Sequence, residues 1–262
     1  MWDRLLDVLY PRTCAGCRRG PWPFCPDCMT ALVAVTPPLC DRCGRPLVRT
    51  ADTCRDCPPS LHRARAAFVY EGPVRSAVLR LKFAGDRSVA RALGSAMASA
   101  WAPADASGSS TGADVVTWVP LSPKRRAKRG YDQARALAVV VAREHRLPTR
   151  PLLRRVRDVG PQARRAGADR RQVMEGVFRS IRTDVPERVL LVDDVLTTGA
   201  TAAACADALR SAGACEVSLL VAARSVRGRA GAMLASGSGP GLWLPGRSSP
   251  GSRSQSQAKR PT

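Results

Sequence analysis

The stretch VLLVDDVLTTGAT, residues 189–201, decides the fold of this 262-residue chain. Val189 to Val192 is an unbroken aliphatic run, the composition of a parallel strand buried on both faces. Asp193 and Asp194 follow at its C-terminal end, where open α/β sheets gather their ligands. Two adjacent carboxylates there suit the 2′- and 3′-hydroxyls of a ribose, which would donate hydrogen bonds to them. Thr197, Thr198, Gly199, Ala200 and Thr201 then lead into the helical run AAACADALRSAG. Gly199 permits a tight turn, and amides at a helix N-terminus face an anion, here a 5-phosphate, with threonine hydroxyls adding donors. A capped strand or a helix start alone would be ordinary. Their combination at this spacing predicts a ribose 5-phosphate site. Neither G-x-x-x-x-G-K-[ST] nor a G-x-G-x-x-G after a strand occurs, so a P-loop or dinucleotide fingerprint does not compete.

Outward from this loop, strand and helix patterns alternate. DVVTWVP (114–120) reads as a strand, Tyr131 to His145 as a helix, and EVSLLVAA (216–223) as a strand after the 200–212 helix. Upstream, AAFVY (66–70) reads as a strand before helical stretches with apolar positions at Val74, Val78, Leu79 and Leu81. Alternation of this kind predicts an α/β fold with a parallel sheet covered on both faces. The small polar run at 102–113 reads as a surface loop. Residues 225–262, rich in Gly, Ser, Pro and Arg, cannot bury a core and read as a disordered basic tail.

Residues 1–60 have a different character. Four C-x-x-C knuckles occur there, Cys14/Cys17, Cys25/Cys28, Cys40/Cys43 and Cys54/Cys57. A two-residue gap lets both thiolates of a knuckle reach one ion, and two knuckles complete a tetrahedral four-sulfur site. Iron–sulfur ligation would also use thiolates, but the repeated double-knuckle spacing favours zinc, with a structural role because no ligand position is left open. Two Zn²⁺ ions are expected. Sequential pairing of the knuckles is the economical arrangement, and a crossed pairing fits the spacing too. Cys205 and Cys215 read as small buried residues of the α/β region.

Forty-two Lys and Arg against twenty-one Asp and Glu leave a formal charge of +21, and only four of the cations are lysine. Arginine's planar fork suits phosphate. No run of eighteen apolar residues indicates a membrane span. MWDRLLDVLY lacks the pattern of a secretory leader, so a cytoplasmic address is expected.

The 189–201 segment resembles the signature of type I phosphoribosyltransferases. With the knuckles, VLRLKFAGDR (78–87) and VPLSPKRRAKRGYDQA (119–134), the chain resembles the ComF (GntX-like) family. That resemblance implies a parallel-sheet type I phosphoribosyltransferase-like core over 61–224 with an N-terminal double zinc ribbon over 1–60. It further implies phosphoribosyl pyrophosphate (PRPP) with Mg²⁺ as ligand and an association with natural competence and DNA uptake. A Mg²⁺-dependent phosphoribosyl transfer is implied less strongly than binding. The chain departs from the family where RGFNQ is replaced by Arg129-Gly130-Tyr131-Asp132-Gln133, where Ser122 stands for a histidine, and where Gln172 stands for an asparagine.

PKRRAKRG follows the strand at 114–120, where type I folds place the pyrophosphate loop. Lys124, Arg125, Lys128, Arg129 and Gly130 are therefore the candidates on the pyrophosphate side. Residues 122–182 carry eighteen Lys or Arg and five Asp or Glu. Within them, 152–172 corresponds in the family to a mobile loop that covers the ligand. The same dispersed arginines also suit the backbone of single-stranded DNA. The alternative function is thus a non-catalytic, zinc-dependent single-stranded DNA-binding module regulated by PRPP, with other DNA-uptake proteins as partners. No nucleophile–base pair is visible, and no catalytic residue is assigned.

Overall fold

The computed structural model describes residues 12–47, 54, 57, 59–101, 112–158 and 173–226. In chain order these form α1 (Pro26–Thr30), β1 (Ala64–Val69), α2 (Gly72–Phe83), α3 (Arg87–Ala100), β2 (Val115–Trp118) and α4 (Pro123–Arg129). There follow α5 (Gln133–Glu144), β3 (Leu153–Arg155), β4 (Phe178–Ser180), β5 (Arg188–Leu196), α6 (Ala200–Arg210) and β6 (Glu216–Arg224).

The aliphatic run of β5 is the centre of the molecule. Leu190 and Val192 belong to a core shared with α2, α3 and α5, whereas Val189 and Leu191 belong to a second core against α6 and the β3–β4 hairpin. All four are at most 1% exposed, as a strand covered on both faces requires. The sheet has the order β1-β6-β5-β2, every pair parallel, and β3–β4 is a separate antiparallel pair. Both sheet edges are covered. Val35 donates to the Ala67 carbonyl and Val69 to that of Val33 along β1, while Arg150 donates to Val116 along β2.

Three short side chains start helices. Asp86 accepts from the Ser88 amide, Ser122 from that of Arg125, and Asp132 from those of Ala134 and Arg135. Asp132 also accepts from Leu121, tying the β2–α4 connection to the start of α5. Two departures from the family pattern, Ser122 and Asp132, are therefore helix caps.

The cysteine region packs against the sheet domain. Cys14, Ala15, Phe24, Cys25 and Cys28 lie in the same core as Val74, Val78 and Leu81 of α2. Arg80 donates to the Cys14 carbonyl at 2.5 Å, and buried Arg224 donates to that of Cys43 at 2.5 Å. Gly44 has φ +64, and a Cβ there would collide with the Ala64 carbonyl oxygen, so only glycine lets this knuckle reach β1.

Three readings are corrected. β5 runs on to Leu196, so Asp193 and Asp194 lie within the strand, paired to β6 through Asp193 and Val221. Leu79 is half-buried and off the core face of α2. Cys215 is exposed at the turn before β6, while Cys205 is buried as expected. The readings of 102–111, of 159–172 with Gln172, and of the tail from 227 lie outside the described residues. Among those described, no helix is long and apolar enough to cross a membrane.

Candidate functional site

Strand alternation puts neighbouring side chains on opposite faces, and this separates the two aspartates. Asp194 faces the α2–α5 layer. Its Oδ1 meets Lys82 Nζ at 2.6 Å, and its Oδ2 accepts from Gln133 Nε2 at 3.0 Å. Only 4% exposed, it is held in place by these two partners. Asp193 lies toward α6 and opens on a cavity of about 150 Å³. Four cations, Lys82, Arg125, Arg129 and Arg155, line this cavity together with Asp194, Gln133 and Thr201. A smaller space of about 50 Å³ adjoins it under Thr197, Thr198, Gly199 and Ala200, and Asp193 and Thr201 line both. A wider depression of about 620 Å³ lies beside Arg179, Arg182 and Gly213, past the far end of α6, and its lining carries no carboxylate.

The loop under the smaller space is built as its residues dictate. Gly199 sits in the left-handed region at φ +80, which a β-branched residue resists, and it precedes Ala200 at the start of α6. Thr198 Oγ1 accepts from the Ala200 amide at 3.5 Å. Thr197 and Thr198 are exposed.

The basic segment divides. Arg125 and Arg129 line the cavity, whereas Lys124 and Lys128 are exposed and do not line it; Gly130 ends α4 at φ +72. Lys82, Gln133 and Arg155 were missed as individual site residues. The first two stood inside motifs quoted for the resemblance, but nothing local marked their side chains. Arg155 reaches the cavity from the β3–β4 hairpin, and one arginine among many carried no signal.

Electrostatics set the two carboxylates apart. Desolvation at the sheet end, reinforced by the Asp194 charge, pushes Asp193 up to about 8, with Lys82 pulling the other way. Burial likewise raises the Asp132 carboxyl and the Tyr131 hydroxyl. A raised carboxyl favours the fold most while protonated. Asp193 therefore withdraws stability as pH climbs from about 4 to about 8, its ordinary and shifted values.

The cysteines form two four-sulfur clusters, Cys14/Cys17/Cys25/Cys28 and Cys40/Cys43/Cys54/Cys57, each with its sulfurs within 4.8 Å of one another. Sequential pairing is thus the arrangement adopted. Observed Sγ–Sγ separations of 3.3 to 3.6 Å approach the edge of roughly 3.8 Å that a tetrahedron with Zn–S bonds of about 2.3 Å requires. Amides stabilise thiolates there: Arg19 donates to Cys17, held down at about 6, and Cys25 donates to Cys14. Burial and the neighbouring thiols push Cys28 far up. Four thiolates cannot share so small a volume without a cation, and the donor set is that of structural Zn²⁺. The two four-cysteine sites support two such ions.

Residues 5–58 match the double zinc ribbon domain family. The chain is 29% identical over 195 residues to competence protein F of Haemophilus influenzae, covering 72% of this chain and 85% of that protein. It is 27% identical over 224 residues to DNA utilization protein YhgH of Escherichia coli O157:H7, covering 82% of this chain and 98% of that protein. A solved allosteric regulatory enzyme of purine biosynthesis is 26% identical with a TM-score of 0.34, over 52% of this chain and about a quarter (26%) of that one. The chain thus carries a double zinc ribbon ahead of a parallel-sheet α/β domain, and over most of its length it is similar to competence protein F and DNA utilization protein YhgH.

Proposed function

We propose that this ComF-type competence protein acts in DNA uptake by binding PRPP at the end of β5. One observation carries the reading: four cations converge on a cavity that shares two lining residues, Asp193 and Thr201, with the smaller space under the loop at the α6 N-terminus. The 5-phosphate takes the amides and hydroxyls from Thr197 to Thr201. Asp193 accepts from the ribose, and Arg125 and Arg129 meet the pyrophosphate. Bound Mg²⁺, a hard cation that prefers oxygen ligands, would offset part of the pyrophosphate charge beside Arg125 and Arg129. For any transfer reaction, the cations would hold the departing charge and the enclosed cavity would exclude water.

Exposed Lys124, Arg126 and Lys128, on the same helix but outside the cavity, favour a second activity, contact with the backbone of single-stranded DNA. Charge reversal separates the two. Arg125→Glu with Arg129→Glu is expected to weaken PRPP binding by at least tenfold. Lys124→Glu with Lys128→Glu is expected to spare PRPP while weakening DNA and flattening its salt dependence by about two phosphate contacts. PRPP binding untouched by the arginine pair would remove the proposed site, and salt-insensitive DNA binding would remove the second activity.

The Asp193 carboxylate also gives a pH signature. A carboxylate accepts from a sugar hydroxyl better than the neutral acid does. Affinity for PRPP is therefore expected to rise as pH passes from 7 to 9 and the group near 8 ionises. Asp193→Asn should give a flat, weaker profile over that range. A slope unchanged in the variant would assign the titration elsewhere.

A further inference from the structure

Gln133 is 4% exposed, and its two amide atoms have different fates. Its Nε2 donates to Asp194 Oδ2 at 3.0 Å, while its Oε1 is buried without a hydrogen-bond partner among the described residues. The orientation is not arbitrary. The Asp194 carboxylate, ion-paired to Lys82 Nζ at 2.6 Å, only accepts, so the amide nitrogen must face it. The carbonyl oxygen is thereby turned away from Asp194, in a residue that lines the cavity. A buried acceptor without a partner is costly, because the water it gave up is not replaced. Arg129 Nη1, also buried and without a hydrogen-bond partner among the described residues, belongs to a second residue lining the same cavity. One wants a donor and the other an acceptor.

We infer that Gln133 is a specificity-determining residue whose Oε1 accepts a hydrogen bond from a ribose hydroxyl of the bound ligand, and that Lys82 and Asp194 position it. The inference rests on the phosphoribosyl reading of the cavity and assigns its hydroxyl recognition. Asp194, which lines the same cavity, holds the Gln133 amide in this orientation through its Oδ2. A neutral acceptor has an advantage there: it recognises a hydroxyl without adding a third negative charge beside Asp193 and Asp194.

The test pairs a protein change with a ligand change. Ribose 5-phosphate, 2-deoxyribose 5-phosphate and 3-deoxyribose 5-phosphate are titrated into the zinc-loaded full chain and into Gln133→Met. PRPP and inorganic pyrophosphate are measured alongside. In the unchanged protein, one of the two deoxy sugars should bind roughly three- to tenfold more weakly than ribose 5-phosphate, the range of a single neutral hydrogen bond. In Gln133→Met that penalty should vanish and PRPP should weaken by a similar factor, while pyrophosphate, which has no hydroxyl, binds as before. Persistence of the full deoxy penalty in the variant overturns the inference. Failure of the unchanged protein to bind PRPP overturns the phosphoribosyl reading itself, which is a distinct outcome. If Gln133→Met does not fold, as judged by its thermal transition, Gln133→Leu is carried through the same titrations.

Discussion

Stripping zinc from the protein is expected to abolish PRPP binding, a loss of at least a hundredfold, and to remove its cooperative thermal transition. Buried Cys14, Cys25 and Cys28 sit in one core with Val74, Val78 and Leu81, so the first metal site is part of the wall that supports α2. Arg80 fastens that helix to the Cys14 carbonyl, and two residues later Lys82 meets Asp194 at the proposed PRPP cavity. The second cluster is fastened to the other end of the structure by Arg224 at the close of β6, where it donates to Cys43. Structural zinc contributes about 10–16 kcal/mol to small sites of this kind. A whole domain is typically stable by only about 5–15 kcal/mol. Loss of metal therefore exceeds what the α/β core alone can offset. Chelation followed by calorimetry and thermal unfolding checks this, and restoring Zn²⁺ should restore both signals. A zinc-free protein that still bound PRPP within threefold of the loaded form would show that α2 holds its place without the ribbon.

Lys82→Met is expected to cost about 3 kcal/mol, because it leaves a buried carboxylate without its cation. Asp194 has a 6% exposed side chain, and Lys82 supplies its only ion pair among the described residues. Gln133 would remain as a neutral donor at 3.0 Å, which softens the loss without neutralising the charge. For a chain of this size the melting temperature should fall by roughly 6–12 °C. PRPP affinity should drop about tenfold, since Lys82 also lines the cavity. Adding Asp194→Asn to Lys82→Met should recover part of the stability but none of the affinity. A melting temperature within 2 °C of the parent would mean that water reaches Asp194 once lysine is gone.

The aliphatic run at Val189 to Val192 announced a strand covered on both faces because a composition without alternation has no solvent side. The knuckles announced their metal because two-residue gaps fix a geometry locally. How these parts meet was not local. The hydrogen bond from Arg80 to the Cys14 carbonyl spans 66 positions, and that from Arg224 to Cys43 spans 181. Pattern and spacing carry no information at such separations.

The candidate site shows the same division. Adjacent aspartates at a strand end suggested two carboxylates acting on one sugar. Both line one cavity, but strand alternation gives them different partners, and those of Asp194 are set by which helices pack on its face. The five residues from Lys124 to Gly130 were read as one basic group, and helical geometry splits them, Arg125 and Arg129 inward, Lys124 and Lys128 outward. That split separates cations lining the cavity from cations on the surface, the division on which the two proposed activities rest.

The most direct test of the central claim is calorimetric titration of the zinc-loaded chain with Mg²⁺ and PRPP, with and without single-stranded DNA present. The cavity under Thr197 to Thr201 predicts one PRPP per chain, displaced by pyrophosphate, and lost when Gly199→Val forces a branched side chain onto a left-handed backbone at φ +80. Absence of saturable PRPP binding to folded, zinc-loaded protein, or binding that survives Gly199→Val unchanged, would contradict the assignment.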